Sequence, residues 1–429
     1  MSVISKAGSG FAILAASALV LSGCAAAEEP VAEETTEEET TEEESAPTDE
    51  LSLKIGTALP QTGNLAFLGP PEEAGVVLAE QEINDAGKGM SLEVVYGDSG
   101  DPDNKAYETE IPRLLAAEVS AVVGAAASGV SLQFIDQLVF EAEVLQFSPA
   151  NTAPEFTQKD TNGLYFRAAP SDALQGQALG DELAADGHQA VSMIVLNDAY
   201  GNGLADAVQA RFEETGGEVL ERPTFNAGDT NFASQLADIT GSNPDAVLVI
   251  TFDEANSILP ELLNSFDAEQ LYLVDGNLAD YSEVLDPGAL EGAKGTAPGS
   301  MEEPTGLIAD ADAAWQAAGN DPLDSNLYLA ESYDSTMAIA LASFMAQSTV
   351  PRDIAEALPA VTGSDGGDEC FDFVECADLI LDGADAITFS GGTGPLKLDE
   401  NGDRTTATIN LHQYDANNQI GDPIDQFSF

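Results

Sequence analysis

The chain of 429 residues carries 76 acidic against 13 basic side chains, a formal net charge of −63, and 44% apolar residues. That balance excludes nucleic acid, whose phosphates demand clustered Lys and Arg, and docking on anionic lipid headgroups. The length suits two domains or one two-lobed body with sizeable cores, and the acidic surface, suited to a salty medium, is silent about substrate.

Residues 11–21, FAILAASALVL, have only Ser17 as a polar side chain, and Lys6 is the sole charge before them. The run is about half of what a transmembrane helix needs, so it reads as a secretory signal. Leu21-Ser22-Gly23-Cys24 resembles the lipobox of bacterial lipoproteins, which implies a signal over 1–23 and a lipid on Cys24. Residues 28–50 hold 12 acids, no base and no aromatic. Such a stretch cannot bury enough apolar surface to offset the entropy of ordering, so 24–50 is expected to be a self-repelling linker. The predicted location is the extracytoplasmic face of the membrane, reached through the anchor.

From residue 51 the pattern becomes strand and helix in alternation. LSLKIGTAL, LEVVYGD, SAVVGA, VLQFSP and LYFRAA read as buried strands, with helical spacing in EEAGVVLAEQEINDAG, NKAYETEIPRLLAAE and GVSLQFIDQLVFEA between them. After Pro170 the theme repeats, with strands AVSMIVLND, EVLERPTF, DAVLVITF and QLYLVDG. Helical stretches ALQGQALGDELAADG, GNGLADAVQARFEETGG, FASQLADIT and ANSILPELLNSF lead into or separate them. Alternation of this kind predicts an α/β fold with parallel sheets and right-handed crossovers, here two doubly wound lobes. Two late helical stretches, ADADAAWQAAG and LYLAESYDSTMAIALASFMAQ, precede DECFDFVEC, and turn-rich β structure follows with corners at Gly391-Gly392 and Asn401-Gly402. Cys370 and Cys376 most simply close a disulfide loop in an oxidising compartment; a metal site is the alternative, but His188 and His412 are distant in sequence. The predicted arrangement crosses between lobes three times. Lobe one is expected at about 51–169 and 299–381 and lobe two at about 170–298 and 382–429, with a ligand cleft at the carboxyl ends of both sheets.

The ordered landmarks LKIGTALPQTG, GDSGDPDN, GAAASG, FSPANTAPEFT, FRAAPSDALQG, NDAYGNGLA, GDTNFASQL, VDGN, ESYDSTMA and FSGGTGPLKLDENGDR resemble those of branched-chain amino acid binding proteins. These are the periplasmic or lipid-anchored receptors of one type of ABC importer, and the likeness runs through nearly all of 51–429. It implies a type 1 periplasmic binding fold, a small-molecule ligand held between closing lobes, and partners in permease and ATPase subunits. Ser128 and Thr152, just after strands and beside helix starts, then match carboxylate binders, with Ala150 offering its backbone. Asp275 matches the ammonium partner, one methylene shorter than the Glu many relatives carry. Tyr200, Phe252 and Leu68 match positions lining the pocket. Gly100 and Ala127 stand where some relatives place a disulfide, and both of those cysteines are missing together.

The ligand class stays open among aliphatic amino acids, amides, urea and aromatic acids, and a sensory receptor of the same fold is the nearer alternative role. An enzyme is not expected: no G-x-S-x-G elbow occurs, Ser128 has no base in a motif-like context, and GNGLAD puts Asp206 where a dinucleotide site wants a small residue. No cofactor or metal is called for.

Overall fold

Short apolar runs such as AVVG and LQFS carry apolar side chains toward both faces, and burying both requires helices above and below a parallel sheet. The computed structural model describes residues 50–300 and 304–429; the signal segment, Cys24 and the acidic stretch through residue 49 lie outside the described residues. The first sheet has five parallel strands, β1 (Leu51–Ala58), β2 (Met90–Val95), β3 (Ala121–Gly124), β4 (Leu145–Ser148) and β5 (Tyr165–Arg167), in the order β2-β1-β3-β4-β5. Helices α1 (Gly69–Asp85), α2 (Tyr107–Ala116) and α3 (Ser128–Asp136) connect its first four strands, and α3 continues as a π turn over Gln137–Ala142. Leu53, Ile55, Val122, Val123, Leu145 and Phe147 form the centre of this layer, all wholly buried.

The chain then passes through α4 (Asp172–Ala185) into a second sheet. Strands β6 (Ala190–Leu196), β7 (Glu218–Val219), β8 (Thr224–Phe225), β9 (Ala246–Ile250), β10 (Leu271–Val274) and β11 (Lys294–Gly299) belong to it, with α5 (Ala199–Glu214), α6 (Ala233–Ser242) and α7 (Ala255–Leu262) as connections. EVLERPTF, expected as one strand, is two short pieces, β7 and β8, both parallel to β6. Pro223 interrupts it because it has no amide hydrogen, while the Glu221 and Pro223 carbonyls still accept from Met193 and Val195 at 2.9 and 3.1 Å. Strand β11, KGTAPG, has no apolar alternation to announce it. It is held by its backbone, parallel to β10 on one side.

The late helices return to the first sheet. These are α8 (Thr305–Ala317), α9 (Leu329–Ala346) and α10 (Pro351–Val361), of which α8 and α9 pack on α1. Every residue of α9 from Leu329 to Phe344 is buried, as expected of a helix covered on all sides. Gly75 permits the close approach of α1 and α9, since a Cβ there would lie 2.4 Å from the Leu329 carbonyl oxygen. Strand β12 (Asp368–Cys370), α11 (Phe373–Leu381), β13 (Ile387–Gly391) and β14 (Gly394–Pro395) follow, and Cys370 and Cys376 are joined as a disulfide. A loop this short contributes about 2 kcal/mol in the chain-entropy picture. Residues from 382 are expected in lobe two, but β13 pairs with β12 and packs on α9, α10 and α11. The return to the second sheet therefore falls later, at β15 (Thr408–Gln413), which runs antiparallel to β11 and is followed by antiparallel β16 (Asp425–Ser428).

The sheets are thus linked by crossings after β5, between β11 and α8, and between β14 and β15. The crossing segments are fastened in place. Arg167, wholly buried, pairs with Asp403 at 2.6 Å and its amide donates to the Gly402 carbonyl at 3.0 Å, while Ser300 donates to the Gly392 carbonyl at 2.9 Å. No helix of the described residues is long and apolar enough to cross a membrane.

Candidate ligand-binding site

Carboxyl ends of strands from both sheets converge on one cavity, lined by Leu65, Leu68, Ser128, Ala150, Thr152 and Tyr328 on one side and Tyr200, Phe252 and Asp275 on the other. All seven ligand-site residues read from the sequence lie here together. The cavity volume is about 20 Å³, room for one water, so the lobes are closed upon each other. Contacts across the gap agree: the Asn64 amide group donates to Glu254 at 2.8 Å, and the Asp253 amide donates to the Asn64 carbonyl at 3.2 Å.

On the first lobe the turn after β4 is preset by buried polar groups. The Ser148 hydroxyl donates to the Ala125 carbonyl at 2.7 Å and accepts from the amides of Ala150 and Asn151 at 3.2 and 2.9 Å. Asn151 donates to the carbonyls of Ala125 and Ala126, and Arg167 donates to the Ala153 carbonyl at 2.9 Å. Such a network holds Ser128 and Thr152 at the cavity edge before any ligand arrives. Ser128 opens α3, and its hydroxyl accepts from the Ala153 amide at 3.2 Å.

On the second lobe Asn277 performs the same office, donating to the Val249 carbonyl at 2.7 Å and to Thr251 at 2.9 Å, and accepting from the Val274 amide at 2.9 Å. This fixes Asp275. Its carboxylate, only 4% exposed, accepts from Gln175 at 2.8 Å and Tyr200 at 2.9 Å on one oxygen and from Tyr328 at 2.7 Å on the other. Burial raises its pKa above the usual carboxylate range, and those three donors work against the rise. The rings of Tyr200 and Phe252 stack at 5.5 Å as an apolar wall.

The site reading does not contain the polar residues Gln175, Tyr328 and Asp172 of this region, nor Leu65, Ala126, Ala127 and Gly276 of the lining. Gln175 and Asp172 stand in the landmark SDALQG, and Asp172 is wholly buried on α4 beside Thr152 and Asp275. Tyr328 precedes α9 in a left-handed conformation, φ 60°, and a hydroxyl at a helix start far from any strand end gives sequence reasoning nothing to fasten on. Both histidines are occupied elsewhere, His188 with the Tyr272 hydroxyl at 2.9 Å and His412 with the Gly421 carbonyl at 3.0 Å, so Ser128 has no imidazole beside it. Among the described residues no group of three His, Cys, Asp or Glu is arranged to hold a metal ion.

A family model described as periplasmic binding protein matches residues 52–417. The chain belongs to the periplasmic binding protein family. Its sequence is 29% identical over 318 residues to the leucine-, isoleucine-, valine-, threonine- and alanine-binding protein of Pseudomonas aeruginosa, covering 72% of this chain and 83% of that one. Its fold matches a leucine-binding protein of Thermotoga maritima with TM-score 0.67 and 22% identity, over 87% of this chain and 98% of that one. A solute-binding protein of an R. palustris ABC transporter, solved with 4-hydroxybenzoate, matches with TM-score 0.71 and 17% identity, over 88% of this chain and 97% of that one. As a periplasmic binding protein, the chain is a solute receptor of the ABC-transporter type.

Proposed function

We propose that this protein is an extracytoplasmic solute receptor, lipid-anchored at Cys24, that captures an α-amino acid between its lobes and delivers it to the permease and ATPase of an ABC importer. Aliphatic side chains such as those of leucine, isoleucine and valine come first, because Leu65, Leu68 and the Tyr200–Phe252 pair supply apolar walls. The observation that carries the reading is one cavity with carboxylate donors at Ser128, Ala150 and Thr152 facing a buried acid, Asp275. That is the complement of a zwitterion. No cofactor or catalytic group enters this reading. The name of the Pseudomonas aeruginosa relative supports the same ligand class.

The stacked aromatic pair favours a second reading, an aromatic acid, as bound by the R. palustris protein. A buried Asp275 opposes it, since an acid without an ammonium would bring a second negative charge beside the first. Thermal-shift and calorimetric titration with the twenty L-amino acids, simple amides, urea and 4-hydroxybenzoate separates the two. An amino acid should raise the melting temperature, because it binds only the folded state. Asp275→Asn keeps the shape and removes the charge, and should weaken that amino acid about 100-fold. Binding of 4-hydroxybenzoate alone, or an Asp275→Asn variant as good as wild type, refutes the amino-acid reading.

A further inference from the structure

Asp172 begins α4, and its amide donates to the Thr152 carbonyl at 2.8 Å. Its side chain is 0% exposed, and among the described residues neither carboxylate oxygen has a hydrogen-bond partner. The charged groups facing it are Asp275, Asp198 and Arg167, and the Thr152 hydroxyl lies close enough to work against the rise that burial causes in its pKa. Arg167 is already committed to Asp403, the Asn151 and Ala153 carbonyls and Thr157. A buried carboxylate left without donors costs several kcal/mol, so the fold has built a demand for positive charge next to two residues, Thr152 and Asp275, that line the cavity.

Asp275 alone cannot meet a ligand ammonium fully. Three protein donors already occupy most of the roughly four lone-pair directions of its carboxylate. An ammonium has three N–H groups to place. Asp172 is the adjacent carboxylate, set directly behind the cavity-lining Thr152 and Asp275, with neither oxygen in a hydrogen bond among the described residues.

We propose that Asp172 is a second ammonium-binding carboxylate of the cleft, and that the Asp172–Asp275 pair confines the ligand to molecules with a primary ammonium. This rests on the amino-acid reading above. Burial and the neighbouring Asp275 push the Asp172 pKa up, with Arg167 working against the rise, so the pair favours a shared proton when no ligand cation is near. The ligand's ammonium takes that proton's place and supplies the missing donors. Carboxylic acids and amides without an amine leave the pair uncompensated, and an N-methyl amino acid has one donor too few.

The test titrates L-leucine, or whichever L-amino acid shifts the melting of wild type most, into wild type, Asp172→Asn and Asp172→Ser by calorimetry, with N-methyl-L-leucine beside it and ligand-free melting in parallel. Both variants keep a group able to start a helix. Affinity should fall about 100-fold in each, while the ligand-free melting temperature stays level or rises, because a neutral side chain replaces a buried acid that no group of the described residues hydrogen-bonds. N-methyl-L-leucine should bind wild type about tenfold more weakly than L-leucine. If wild type binds an amino acid and both variants bind it equally well, Asp172 has no ligand role and the amino-acid reading survives. Failure of both variants to fold assigns Asp172 to the structure and overturns the proposal, and if wild type binds no amino acid the reading beneath it falls first.

Discussion

Asp275 shows how a single side chain is set by neighbours that share no sequence proximity with it. Gln175 comes from α4, Tyr200 from α5 and Tyr328 from the start of α9, and all three aim neutral donors at one carboxylate. The Tyr328 bond differs from the other two because it joins the lobes. Tyr328→Phe keeps the ring and removes that donor, so amino-acid affinity should fall about five- to tenfold, measured by calorimetry. A drop as large as that of Asp275→Asn would mean that the hydroxyl touches the ligand itself.

At the scale of elements, closure is a meeting of α3 with α5. Asp198 caps α5, accepting from the Gly201 amide at 2.8 Å, and its other oxygen faces the first turn of α3. Gly129 makes that approach possible: a Cβ there would stand 2.9 Å from Asp198 Oδ2, closer than real Cβ contacts run. Gly129→Ala should therefore hinder closure and weaken amino-acid binding about tenfold, as overpacking does. Ligand-free melting should hold or rise, since alanine favours a helix over glycine. A loss of ligand-free stability in step with affinity would place the strain inside the lobe instead of between lobes.

For the whole molecule, the closed cleft holds acids that are buried, Asp198 and Glu254 among them. Burial raises Asp198 from its ordinary 3.8 to about 6, with the Gly201 amide opposing and Glu254 adding to the rise, and burial raises Glu254 too. Asp172 is the further acid facing Asp198. Because the folded-state pKa is raised, the contribution of Asp198 to stability is full below the ordinary value and lost as pH climbs through about 6. Asp198→Asn retains a cap and removes the charge, so it should raise the melting temperature by about 3 °C near neutral pH and change little near pH 4, followed by calorimetry across pH. An equal effect at both ends would show that Asp198 is not charged where it is buried.

Local physics made most of the chain legible: apolar strands ended by Gly, Pro or Asp, helical spacing between them, and two lobes of parallel sheet follow from side chains that must be buried on both faces. Ser128, Thr152 and Asp275 stand at carboxyl ends of strands, which point into the cleft of an open sheet, but such a place suits a cap or a turn equally, and it is the resemblance of the landmark motifs that singles them out. Strand β11 could not, since backbone pairing with β10 and β15 holds its Gly-rich run and no side-chain period reports that. The placement of β13 beside β12 is a pairing between separate segments, and the convergence on Asp275 depends on hydrogen bonds from Gln175 and Tyr328, 100 and 53 residues away in the chain, with Asp172 beside them. Pairing and burial at that range are properties of the closed tertiary structure, and no stretch of sequence carries them alone.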